Sequence, residues 1–365
     1  MRTGPGISSC RRRLSCLAET LAVHFLRVLA QNRIPNRARQ RVAKALLVKM
    51  EGGRMTAGRV AKTLAVVVVL GALALFVPSL RRYAGVARRS AWLLTSRDPM
   101  CSFAQAGRAI VASRFSLQAA VSRMNSAIRR LERAASGSEL WETPVGRFWI
   151  PKVSTANVAY MMVEWEQRAN TWGGRGARAG DIVLDCGAHV GTYTRAALLA
   201  GAKLVVAIEP APENLECLRR TFASEIADGR VIICPKGVWD REENRVMSLH
   251  PEGSGRDSVV FRYSQSRQQI IVPLTTIDKL VTELQLGRVD FVKMDIEGAE
   301  QRALGGARET LARFKPRLAI SGYHLPDDTV RIPEVVRRAQ PGYRLECGEC
   351  VLLLGRIAPE VLFFR

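Results

Sequence analysis

From about residue 141 onward, short apolar runs alternate with amphipathic stretches. The runs are Ile182–Cys186, Leu204–Glu209, Val231–Cys234, Val289–Ile296 and Arg317–Ser321. They are four to eight residues long and rich in β-branched side chains, which predicts buried strands. Between them, Tyr193–Ala200, Glu213–Ala223 and Ile277–Leu286 have helical spacing. Strands alternating with helices predict an α/β domain, a mostly parallel sheet with helices on both faces. Ligands then bind at the carboxyl ends of the strands, near the switch in strand order. Two last runs, Val351–Gly355 and Val361–Phe364, lie close together and are expected to form an antiparallel closing pair.

Two other patterns precede this body. Thr63–Leu80 is 18 residues without a charge. As a helix it spans roughly 27 Å, close to the ~30 Å hydrocarbon core of a bilayer. Lys62 on one side and Arg81-Arg82 on the other suit snorkelling, so a single membrane anchor is expected over 63–80. A secretory signal would have a shorter apolar region and a small-residue cleavage site. Next, Phe103, Ile110, Leu117, Met124 and Leu131 recur every seven residues within Cys101–Ala135. This predicts a long helix, with Arg108, Arg123, Arg129, Arg130 and Arg133 on its other surface. Three uses stay open for it: a stalk packed on the body, a self-associating coiled coil, or a helix lying on anionic lipid.

Charge sharpens this division. Residues 1–140 carry 25 Lys and Arg against 5 Asp and Glu, whereas residues 141–365 carry 30 against 28. The expected organisation is a basic segment over 1–62, the anchor over 63–80, a basic linker and amphipathic helix over 81–140, and the α/β domain over 141–365. Basic charges flank the apolar span equally; counted from Met55 the balance places the body on the cytoplasmic side. Few aromatics interleave with the basic residues, so no nucleic-acid partner is expected. The eight cysteines lie mostly in apolar or strand-like surroundings, which is the usage of reduced, buried thiols. Cys347 and Cys350 form a single CxxC pair without a second pair or nearby histidines, so no metal is expected.

The chemistry sits in two stretches. The first, LDCGAHVGTYT (184–194), is a strand, a glycine turn and a helix start. A dinucleotide fingerprint needs a middle glycine, and a phosphate loop needs a following lysine; neither is present. Asp185 ends the first strand, and Glu209 ends the second about 20 residues past the turn, where an acid accepts from two ribose hydroxyls. A nucleoside without phosphates fits, and S-adenosylmethionine is such a ligand. The second stretch is VDFVKMDIEGAE (289–300). Three acids at one strand edge repel each other, a poor choice for a mere scaffold. Strand alternation puts Lys293 and Asp295 on one face, where they are expected to pair. Glu300 reads as a first-turn acid favoured by the helix dipole, and Asp295 and Glu297 as groups facing the ligand.

These stretches, with AIEPAPENLECLRR (207–220) between them, resemble the FkbM family of S-adenosylmethionine-dependent methyltransferases over roughly 141–365. The resemblance implies a seven-stranded Rossmann-like sheet and methyl transfer, typically to an oxygen. It implies that Asp185, Gly187 and Gly191, with Ala188 and His189 inside the turn, form the first cofactor motif. Glu209 matches the ribose acid and Asp295 the acid after the fourth strand. Trp239, in Gly237-Val238-Trp239-Asp240, falls where such enzymes surround the adenine; it either stacks there or belongs to the core. His189 departs from the family pattern, which usually has Asn. An alcohol acceptor must lose its proton as it attacks, and Asp295, Glu297 and His324 are the candidate bases; a structural role for His324 stays open. His189 serves the turn, or touches the cofactor and makes binding pH-dependent. The polar segment between Leu249 and Gln268 is expected to cover the site. The expected acceptor is a hydroxyl on a sugar, a glycolipid or another small metabolite. The other reading is a membrane-anchored protein that binds a nucleoside or a partner without catalysis.

Overall fold

The computed structural model describes residue 90 and residues 92–171, 174–353 and 355–365. The basic segment and the expected anchor over 63–80 lie outside the described residues. Among the described residues, no helix is long and apolar enough to cross a membrane.

A long helix comes first, α1 (Phe103–Asn125), followed by three short strands, β1 (Arg129–Arg133), β2 (Glu139–Thr143) and β3 (Gly146–Ile150), and by helix α2 (Val158–Thr171). Ser102 starts α1 with a capping box: its hydroxyl accepts from the Gln105 N–H, and the Gln105 side chain accepts from the Ser102 N–H. The α/β alternation then runs β4 (Ile182–Cys186), α3 (Thr192–Leu199), β5 (Leu204–Ile208), α4 (Pro212–Thr221), α5 (Ala223–Ala227) and β6 (Val231–Cys234). An inserted unit follows, β7 (Gly237–Val238), β8 (Glu243–Leu249) and β9 (Gln268–Thr275). The alternation resumes with α6 (Ile277–Glu283), β10 (Phe291–Met294), α7 (Glu300–Gly305), α8 (Arg308–Phe314), β11 (Arg317–Ser321) and α9 (Asp328–Ala339). Four strands end the chain: β12 (Leu345–Cys347), β13 (Cys350–Leu353), β14 (Arg356–Pro359) and β15 (Val361–Phe364).

The main sheet has seven strands in the order β12-β15-β11-β10-β4-β5-β6. The five from β11 to β6 are parallel; β15 is antiparallel to both β11 and β12. From β4 the chain first moves outward to β5 and β6, then crosses back to β10 and β11. The strand order therefore switches between β4 and β10, and a crevice opens outside their carboxyl ends. Strands β4, β5, β10 and β11 are buried along almost their whole length, which explains their continuous apolar runs. Leu184, Val206, Val292 and Leu318 fill one side of this sheet with Ile332 and Val336 of α9.

Three sequence expectations need correction. The closing pair is not Val351–Gly355 with Val361–Phe364. Val351 and its neighbours in β13 pair with β14 in a separate hairpin, and β15 takes β12 as its sheet neighbour. The long helix ends at Asn125, and Arg129–Arg133 is a strand. Cross-strand charge decides this: Arg129 stands opposite Glu142 and Arg133 opposite Glu139 in the β1–β2 register. Arg129 donates to Glu142 at 2.8 Å, and Arg130 to Glu139 at 3.2 Å. Tertiary pairing of this kind overrides a local helical preference. The resulting sheet straddles the expected boundary at 140/141.

The third correction concerns the cysteines. Cys186, Cys217 and Cys234 are buried free thiols, but Cys101 and Cys350 form a disulfide across 249 residues of sequence. It joins the start of α1 to β13, inside a small cluster with Leu93, Ala106, Ala109, Ile110 and Ile357. Leu117 and Met124 of the seven-residue stripe pack on α2 residues Ala159, Met162 and Val163. The helix is thus a stalk packed on its own domain.

Cys350→Ser should lower the thermal midpoint, by a loss of roughly 2–4 kcal/mol. The check is thermal unfolding with and without reductant: the reductant should destabilise the wild type and leave the variant unchanged.

Candidate functional site

The crevice at the switch point is organised by one buried ion pair. In the β4–β10 register, Asp185 stands beside Lys293. The Lys293 Nζ lies 3.2 Å from Asp185 Oδ1, and their side chains are 9% and 0% exposed. Nζ also donates to the Gly187 carbonyl at 2.7 Å, and Thr194 Oγ1 donates to Asp185 Oδ2 at 2.7 Å. Lys293 therefore pairs with Asp185 across strands. Asp185 lies beneath the turn, where it fixes the backbone and does not face the cleft.

The two glycines of the turn answer to packing. Gly187 has φ +76°, and a Cβ there would lie 2.1 Å from the Asp295 carbonyl oxygen. Gly191 has φ +89°, and a Cβ there would lie 2.2 Å from the Phe222 ring. Neither position admits a side chain. Between them, His189 adopts φ +52°, a left-handed conformation that Asn and His tolerate better than most residues. This accounts for His in place of Asn. Its backbone N–H donates to Glu209 Oε2 at 2.9 Å, which ties the turn to the end of β5. Its ring Nε2 is 2.9 Å from Ser254 Oγ. Burial, with Lys293 adding to it, lowers the His189 imidazole to about 4, so the ring is neutral at physiological pH.

Glu209 is buried, 6% exposed, and its carboxylate is already engaged. Oε1 accepts from the Ala211 N–H at 2.9 Å and from Asn214 Nδ2 at 3.3 Å, while Oε2 takes the His189 N–H. A carboxylate has about four acceptor positions, so about one remains. Burial raises the Glu209 carboxyl despite these donors.

On the β10 side, Asp295, Glu297 and His324 converge. The His324 side chain is 1% exposed, and its Nδ1 is 2.9 Å from Glu300 Oε1. Its Nε2 points between Glu297 Oε1 at 3.5 Å and Asp295 Oδ1 at 3.7 Å. Glu300, which the sequence offers as a helix-dipole acid, is fully buried and also accepts the Ile296 N–H at 2.8 Å. Burial opposes a charge on His324, but Glu300 and Glu297 overcome it and hold the imidazole well above its ordinary range. Glu297 sits at φ +52°, a strained conformation for a residue of its size, and burial raises its carboxyl.

Asp295, Glu297 and His324 share a cleft of about 1470 Å³ with Gly187, Ala188 and His189. A second cavity of about 60 Å³, lined by Glu209, Gly237, Val238 and Asp257, lies beside it and has room for a few waters. The polar segment between β8 and β9 lies across both, as the sequence suggests. Ser254, on this segment, contacts His189 on one side and Ser154 Oγ at 3.0 Å on the other. Burial raises its Asp257 carboxyl to about 8. Ser254 and Asp257 were not separable by sequence from their polar neighbours. Trp239 lines neither cavity; it is 4% exposed, packs with Ala211, Met247 and Leu274, and lies under Arg245 at 4.8 Å. It belongs to the core.

A mostly parallel sheet of this order, with a glycine turn after β4, an acid near the end of β4 and acids just after β5 and β10, has the α/β fold of the methyltransferase type. Residues 185–345 match the model of the methyltransferase FkbM domain. Among solved structures, the FkbM methyltransferase from Methylobacillus flagellatus KT is 20% identical, covers 58% of this chain and gives a TM-score of 0.39. This chain spans 55% of that protein's length. TYW2 from M. jannaschii, solved with AdoMet, is 15% identical, with 65% of this chain and 90% of that one covered and a TM-score of 0.34. Among curated proteins, none matches the chain.

Lys293→Met should cost roughly 3–5 kcal/mol, because it leaves Asp185 charged and uncompensated; urea unfolding measures it. His189 is lowered to about 4 in the folded state, so between its unfolded value of about 6.5 and 4 the unfolded chain binds the extra proton. Stability should fall as pH drops through this window. His189→Asn should flatten that fall while keeping the turn, as a pH series of unfolding midpoints would reveal.

Proposed function

We propose that this chain is an S-adenosylmethionine-dependent methyltransferase acting on a hydroxyl. The observation that carries the reading is the placement of two chemistries in one cleft: the glycine turn tied to Glu209, and the Asp295–Glu297–His324 cluster, which lines the same cleft. The turn fits the cofactor's methionine end, since Gly187, Ala188 and His189 line the cleft. Glu209 fits one ribose hydroxyl through its remaining acceptor position, rather than two. Gly237 and Val238 offer backbone where an adenine edge would sit. The cavity of about 60 Å³ beside Glu209 is too narrow for a nucleoside as it stands. Admission therefore needs the Ser254 end of the covering segment to lift, which breaks its contact with His189.

S-adenosylmethionine, when bound, supplies an electrophilic methyl on a sulfonium that leaves as a neutral thioether once the acceptor oxygen takes the methyl. The chain's residues position the reactants, exclude water and take the acceptor's proton. The proton goes to a carboxylate of the Asp295–Glu297–His324 cluster. Lys293 and Asp185 hold the backbone that these groups share. A sugar or glycolipid hydroxyl is the acceptor that suits an apolar span at residues 63–80.

The test is a thermal shift of the full chain with S-adenosylmethionine, followed by transfer of labelled methyl to hydroxyl acceptors. A clear upward shift is expected. Glu209→Ala should weaken cofactor binding by roughly 10- to 100-fold, the loss of a hydrogen bond to a charged group. A missing shift in the wild type overturns the cofactor assignment. A shift with no methylated product supports a nucleoside-binding protein without catalysis.

A further inference from the structure

We infer that Asp295, Glu297 and His324 hold a divalent cation of the Mn²⁺ or Zn²⁺ class at the acceptor end of the cleft. The site's binding role stands by itself; its catalytic role rests on the proposed methyl transfer. The first ground is a buried imidazole nitrogen without a hydrogen-bond partner. His324 is 6% exposed, and its Nε2 is buried without a hydrogen-bond partner. It aims between Glu297 Oε1 and Asp295 Oδ1, which stand off at 3.5 and 3.7 Å. Ligand atoms 2.0–2.2 Å from one ion stand roughly 3 to 3.6 Å apart at octahedral to tetrahedral angles. Spacing that is long for a hydrogen bond is thus close to the edge of a coordination shell. One potential ligand atom from each residue lies within 4.8 Å of the others.

The second ground is the group behind the histidine. Nδ1 is 2.9 Å from Glu300 Oε1, and Glu300 is fully buried. A metal-bound imidazole characteristically gives its other ring N–H to a carboxylate, which fixes the tautomer and aims the free nitrogen. The third ground is charge. Three carboxylates surround one imidazole, and a proton on that ring offsets only part of the repulsion. One imidazole nitrogen with two carboxylates suits a borderline or hard divalent ion.

All three residues also line the large cleft, so further coordination positions face the acceptor. An acceptor hydroxyl bound there would be polarised and more acidic. Its proton would pass to the second carboxylate oxygen of Glu297, and the acceptor oxygen keeps the electron pair that attacks the methyl. Glu300 is then a positioning residue, acting through His324.

The experiment uses the full chain, stripped with a chelator and dialysed, then titrated with Mn²⁺ while free Mn²⁺ is followed by electron paramagnetic resonance. Binding of about one ion per chain is expected, with Zn²⁺ competing for the same site. His324→Ala and Asp295→Asn should abolish it, and Glu300→Gln should weaken it by about 10- to 100-fold. His324→Gln serves if the alanine variant does not fold. The thermal shift with S-adenosylmethionine should persist in His324→Gln, which separates this inference from the cofactor reading. No Mn²⁺ or Zn²⁺ binding by the folded wild type overturns the site, as does binding that survives loss of His324 and Asp295. In either case the carboxylates serve only to hold a protonated His324.

Discussion

The Asp185–Lys293 pair is the constraint on which this domain depends. It links the two strands on either side of the switch point and does so with almost no access to water. A buried ion pair is costly to form and costlier to break. Here its charges are satisfied by groups with a second use. Lys293 also holds the Gly187 carbonyl, and Asp185 also holds the first turn of α3 through Thr194. The bond that closes the sheet thus also sets the backbone of the glycine turn.

From that turn the geometry spreads in two directions. Toward β5, the His189 N–H fastens the turn to Glu209. Toward β10, Gly187 lies so close to the Asp295 carbonyl that no side chain fits between them. The second contact brings the acids after β10 beside the turn. His324 arrives from the far end of β11 and is seated by Glu300. The ends of β4, β10 and β11 therefore contribute to one cleft, and the end of β5 to the cavity beside it. The inserted β8–β9 unit supplies the cover, touching the turn through Ser254.

Elsewhere the sequence misleads for identifiable reasons. Arg129–Arg133 has helix-forming residues and continues a seven-residue stripe, but opposite charges across β1 and β2 draw it into a sheet. The closing strand β12 is three residues long and carries no apolar run, so Leu345–Cys347 was hidden by the stronger pattern of β13. Cys101 and Cys350 are 249 residues apart, and only the docking of α1 on β13 brings them together. Trp239 falls at a plausible ligand position in sequence, yet its ring turns into the core under Arg245.

The sequence by itself determined what periodicity and local chemistry can carry. Continuous apolar runs require strands buried on both faces, and their alternation with helices requires a parallel sheet with its crevice at the switch point. The glycine spacing and the acids at positions 185, 209 and 295 were legible because strand ends and turns restrict which residues fit. Tertiary structure alone decided the use of those acids. Asp185 faces Lys293, Glu209 spends most of its acceptors on the turn, and Asp295 joins Glu297 and His324. These partners lie from 20 residues apart, as His189 and Glu209 do, to more than a hundred, as Asp185 and Lys293 do, and no local pattern records which of several acids a buried lysine or histidine will meet.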